Sequence, residues 1–105
     1  MRFRVFLFSC SLLALVGCGT TPSAKAPPVT AAMASRGHQQ LDLATLNRGR
    51  SAFLSRCGHC HALPDLHEHP AADWPRLVAV MAPRSGLNAD ERAAVLAYIA
   101  AARAE

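Results

Sequence analysis

Several absences narrow this chain of 105 residues before any motif is considered. No stretch reads as a strand, which excludes sheet-based folds and with them the βαβ frame of a thioredoxin-like redox pair. No basic run is interleaved with aromatics, and aromatic residues make up only 6% of the chain, so nothing points to nucleic acid as a partner. No apolar run is long enough to span a bilayer comfortably. From Arg36 on, much of the apolar content is alanine, which buries little. The formal charge of +4 is partly a property of Arg2 and Arg4; without them nine Lys/Arg face seven Asp/Glu, close to neutrality. The length allows one domain at most.

The N-terminus is of a different kind. Arg2 and Arg4 precede Val5-Phe6-Leu7-Phe8 and Leu12-Leu13-Ala14-Leu15-Val16, with Gly17 at the exit. A basic start, a short apolar run and a small residue at its end describe an export signal over residues 1–17. Leu15-Val16-Gly17-Cys18 resembles the lipobox of bacterial lipoproteins. That resemblance implies that Cys18 becomes an acylated N-terminus, with acyl chains sufficient for stable anchoring. Gly19 after the cysteine, where an aspartate would imply inner-membrane retention, leans toward the outer membrane. Residues 18–35 are rich in Pro, Ala, Thr and Ser and show no apolar periodicity. They are expected to form the lipidated N-terminus and a disordered tether, with Met33 a linker residue. The domain is then expected over residues 36–105, opening on a lead-in that carries Leu41, Leu43 and Leu46.

The chemistry concentrates in Cys57-Gly58-His59-Cys60-His61, the attachment signal of a c-type haem. Two thiols one helical turn apart can each add to one vinyl group of a single macrocycle. The residue that follows supplies an imidazole to the iron. Cys57 and Cys60 are therefore assigned to the thioethers and His61 to the metal; Gly58 and His59 need do no chemistry. A zinc site completed by His67 and His69 is the competing reading, although six residues after Cys60 make a short loop and the two histidines are one residue apart. With Cys10 removed in the signal and Cys18 acylated, no cysteine remains for a disulfide.

Around the motif the pattern is helical. Thr45 or Asn47 can cap a helix whose face carries Gly49, Ala52 and Phe53. Asn88-Ala89-Asp90-Glu91 is a capping-box variant. Behind it Val95, Leu96, Tyr98, Ile99 and Ala102 form an apolar stripe. Trp74, Leu77, Val78 and Met81 fall at i, i+3, i+4 and i+7.

Gly49-x-x-x-Phe53-x-x-x-Cys57-x-x-Cys60-His61, followed by a C-terminal helix with a tyrosine, resembles the class I cytochrome c family. The resemblance implies a small all-α fold, with N- and C-terminal helices crossing beside one covalent haem c. Gly49 and Phe53 would meet the C-terminal helix near Leu96 and Tyr98. Met81 follows the motif and supplies a soft thioether, which makes it the expected distal ligand. Trp74 would pack on the macrocycle edge with its N–H toward a propionate. His67 and His69 are competing ligands, read as solvent-exposed imidazoles in a polar turn. The carbonyl of Pro64 or Pro70 would accept the proximal imidazole N–H. A domain of about seventy residues has a marginal core, and the haem would complete it.

The expected function is one-electron transfer on the exported side of a bacterial membrane, with no catalytic residue. Partners would be redox proteins, a dehydrogenase or a respiratory complex, and the membrane itself through the anchor. An open distal site, giving a haem sensor or peroxidase-like protein, and a dedicated cytochrome subunit of a larger periplasmic oxidoreductase are the alternatives.

Overall fold

Capping chemistry sets where the helices start. Asp42 accepts hydrogen bonds from the backbone N–H groups of Ala44 and Thr45 and begins a helix earlier than the expected Thr45 or Asn47. Asn47 is already inside that helix, donating to the Leu43 carbonyl at 2.9 Å. At the other end of the chain, Asn88 Oδ1 accepts from Glu91 N at 2.8 Å while Glu91 Oε2 accepts from Asn88 N at 3.0 Å. The capping box is therefore reciprocal.

The computed structural model describes residues 22–36 and 41–104. Among these the chain is all-helical, with no strand. Two short helices, α1 (Pro22–Lys25) and α2 (Ala31–Ser35), precede α3 (Leu43–Ala52). Helix α3 runs directly into a π-helical turn, Phe53–Cys57. A 3-10 turn, Ala71–Asp73, leads into α4 (Trp74–Ser85), and α5 (Ala89–Arg103) closes the order. Helix α4 continues past Met81 through Pro83 and stops at Gly86, whose φ of 67° a side chain would resist. Leu87 N donates to the Ala82 carbonyl there at 3.1 Å, sealing the end.

The centre of the fold is the contact between α3 and α5. A Cβ on Gly49 would lie 2.0 Å from the Ala94 carbonyl oxygen and 2.9 Å from Tyr98 Cβ. The backbones touch because no side chain intervenes. The expected partner Leu96 is half-buried at the flank; Ala94, one turn before Tyr98, takes the contact. Phe53 and Tyr98 are fully buried beside it, ring centroids 6.1 Å apart at 47°. Leu46, Val95 and Ile99 complete this core.

The segment expected to be a disordered tether is different in the structure. Thr30 caps α2 by accepting from Met33 N at 3.2 Å, and both Ala26 and Met33 are fully buried in the common core. Met33 is thus a core residue. Three side chains hold the segment's position. Tyr98 Oη donates to the Pro27 carbonyl at 2.7 Å. Arg50 Nε donates to the carbonyls of Ala26 and Pro27, and Lys25 Nζ reaches the Leu63 carbonyl at 2.8 Å. A Pro/Ala-rich chain with little to bury is ordered here because the domain supplies donors for its carbonyls and a site for one methionine. Residues 1–17, Cys18 and Gly19 lie outside the described residues.

Candidate functional site

The π-helical turn delivers the cysteine motif. Inserting one residue into the hydrogen-bond ladder widens the helix, and here it does so at Phe53–Cys57, immediately before Gly58. Gly58 has a steric duty that spacing alone did not reveal. A Cβ at this position would come within 2.8 Å of the Leu54 carbonyl oxygen and 3.3 Å of Leu63 Cγ.

From this turn Cys57, Cys60 and His61 border a cavity of about 300 Å³. Helix α4 supplies another wall through Trp74, Leu77, Val78 and Met81. All four residues of the i, i+3, i+4, i+7 stripe therefore face one space. Phe53 and Ile99 extend the cavity into the α3–α5 core. Its volume is at the lower end of the range for small-molecule pockets, and its apolar lining with few polar groups is typical of them.

The polar and reactive atoms have distinct surroundings. Cys57 is half-buried, and burial pushes its thiol up from the ordinary range; Cys60 is exposed. His61 Nδ1 lies 2.8 Å from the Ala62 carbonyl oxygen. A carbonyl only accepts, so Nδ1 carries the proton and the Nε2 lone pair is left for a metal. The expected acceptors, Pro64 and Pro70, are not the ones used, because the carbonyl next in sequence is already within reach. Trp74 Nε1 is buried with no hydrogen-bond partner among the described residues. Met81 is 39% exposed, at the rim. Arg56 also borders the cavity; it donates to the carbonyls of Ser85 and Gly86 and faces Glu91 at 3.7 Å.

The two competing histidines separate. His67 is exposed, outside this cavity, its backbone N–H on Asp65 Oδ1 at 2.8 Å. His69, expected in solvent, is half-buried instead. Its ring stands edge-on to Trp74, centroids 5.8 Å apart at 80°, and it borders the cavity. Arg103 holds it there by donating to the His69 carbonyl at 2.9 Å. Among the described residues no three His, Cys, Asp or Glu side chains converge to hold a metal ion. The two motif cysteines are thus not joined by His67 and His69 as a zinc site requires.

Two thiols, an imidazole with a free Nε2, a thioether and an unpaired indole N–H around one apolar cavity fit the needs of a covalently attached haem. Comparison with known proteins adds no relative: no family model matches the chain, and neither the curated proteins nor the solved structures contain a match.

Proposed function

We propose that this chain is a small cytochrome of the class I c type, a one-electron carrier. The observation that carries the reading is the shared cavity: Cys57, Cys60, His61, Trp74 and Met81 all border it. When bound, a haem supplies a reversible one-electron couple between ferrous and ferric iron. Cys57 and Cys60 would hold it by adding their S–H groups across its two vinyl groups. Each would be joined through a C–S bond, the thiol hydrogen passing to the neighbouring vinyl carbon with no net oxidation. His61 Nε2 and the Met81 thioether would ligate the metal from the protein. Leu77, Val78 and Ile99 exclude water from the interior, and Trp74 Nε1 offers a donor to an acidic edge of the group. Were His61 and Met81 both to hold the group, no open site would remain beside it for a substrate.

Cys18 is the proposed lipid attachment point, with the domain on the periplasmic side of a bacterial membrane, the outer one favoured by Gly19. The partners proposed are an exported dehydrogenase or a respiratory complex. The alternatives are a carrier that diffuses and a fixed subunit of an oxidoreductase.

His69 favours one second reading. Its place beside Trp74 at the cavity makes it the residue that would ligate, or move a proton, if Met81 does not bind; the protein would then be a sensor or peroxidase-like. The optical spectrum of the oxidised protein decides. Met81→Ala is expected to abolish the methionine–iron charge-transfer band, and His67→Ala and His69→Ala to retain it. A wild type without that band, altered by His69→Ala instead, would establish the second reading.

A further inference from the structure

Between His61 and the 3-10 turn at Ala71 the chain has no helix of its own, yet its carbonyls are gripped from outside. Arg103 of α5 donates to those of Leu66 and His69. Lys25 of α1 donates Nζ to that of Leu63 at 2.8 Å, across 38 positions of sequence. The carbonyl before it is Ala62's, the acceptor facing His61 Nδ1 at 2.8 Å. A planar peptide joins Ala62 to Leu63, so holding the Leu63 carbonyl restrains the residue whose N–H shares a plane with the Ala62 carbonyl. Lys25 itself is firmly based. Ala26 beside it is fully buried, and the next carbonyls are held by Arg50 and Tyr98.

We propose that Lys25 is a positioning residue for His61: by pinning the Leu63 carbonyl it keeps the Ala62 carbonyl on Nδ1, which fixes the ring tautomer and orientation. The proposal rests on the haem reading and deepens it, because an N-terminal segment that touches no metal would tune one that His61 holds. A carbonyl that accepts firmly from Nδ1 makes Nε2 a stronger donor. A stronger donor favours ferric iron and lowers the reduction potential. Loosening that bond must therefore raise the potential. Simple loss of a nearby cation would do the reverse, since a positive charge disfavours the more positive oxidation state. The sign separates positioning from charge.

The test uses the haem-loaded protein and three variants, Lys25→Met, Lys25→Arg and Tyr98→Phe. Lys25→Met is expected to raise the reduction potential. It should also speed solvent exchange of the His61 Nδ1 proton, followed by NMR, by about fivefold, the factor for one net hydrogen bond. Lys25→Arg restores both. Tyr98→Phe removes one bond to the same segment while Arg50 still holds the Ala26 and Pro27 carbonyls and Lys25 still reaches the loop; it should lower the melting temperature and leave potential and exchange unchanged. A pigmented Lys25→Met protein whose potential falls or stays fixed overturns the positioning role, as does an equal rise in Tyr98→Phe. If wild-type protein from a competent maturation system is colourless, the haem reading fails first and this role falls with it.

Discussion

Trp74 buries its indole N–H without an acceptor among the described residues, and an unmade buried hydrogen bond costs roughly 1–3 kcal/mol. A tryptophan chosen only to fill space could be phenylalanine. Trp74→Phe keeps the ring against His69 and removes the donor. If the N–H pairs with an acidic group of a bound haem, the substitution should lower the stability of the pigmented protein by about 1.5–3 kcal/mol, the range for a hydrogen bond to a charged group. The shift would be read as an earlier midpoint in a denaturant titration with unchanged slope, and an unmoved midpoint would leave the orphaned donor without a partner. Single residues differ in how much of this is legible from the chain. Trp74, Leu77, Val78 and Met81 announce a common face because a helix repeats every 3.6 residues. His69 announces nothing: its ring meets Trp74 only because Arg103, at the far end of the chain, fixes the loop between them. Gly58 is equally silent, since its need to lack a Cβ comes first from the Leu54 carbonyl oxygen of the π-helical turn and then from Leu63 folding back over it.

Among the elements, the α3–α5 contact is the one whose failure would be felt everywhere. Gly49→Ala would place a methyl 2.0 Å from one backbone oxygen and 2.5 Å from its carbon in Ala94. Backbone atoms cannot swing aside as a side-chain tip can, so the helices must part. Alanine's better helix propensity returns about 1 kcal/mol, while overpacking of this kind costs typically 1–3 kcal/mol and sometimes more. With atoms this close the penalty should sit at the upper end. A net loss of about 2 kcal/mol is expected in thermal melts, and a neutral result would mean that the helices do not touch at Gly49. The start of α5 was readable from Asn88 and Glu91 because a capping box is wholly local. The start of α3 was less so: the cap is Asp42, but Leu43 is exposed and only Leu46 of the lead-in leucines is fully buried, so the helix begins on a polar face that carries no periodic signal. The π-helical turn after it depends on packing around the motif, which no propensity encodes.

At the scale of the whole molecule, the N-terminal segment changes how the domain can sit relative to an anchor. A free tether from Cys18 to Arg36 could reach roughly 60 Å, at 3.3–3.6 Å per residue. With the chain held on the domain from Lys25 onward, the reach from Cys18 to Lys25 is at most about 25 Å. On the reading that Cys18 carries lipid, the domain would lie close to the membrane surface and meet its partners by lateral diffusion or as a fixed neighbour. A long, swinging search would not then be available to it. No local pattern foretold this, because the segment is held by two buried residues seven positions apart, Ala26 and Met33, and by donors from Arg50 and Tyr98 far along the sequence. Met33 is the test of whether the segment belongs to the folded unit. A disordered linker methionine can become alanine at no cost, whereas a fully buried one should cost about 2–5 kcal/mol. For a domain of this size each kcal/mol moves the melting temperature by roughly 4–8 °C. Met33→Ala should therefore melt at least about 8 °C below wild type and be cut faster by trypsin after Lys25 and Arg36, as the segment lifts from the core. Equal melting and equal proteolysis would return residues 22–36 to the role of a loose tether and restore the longer reach.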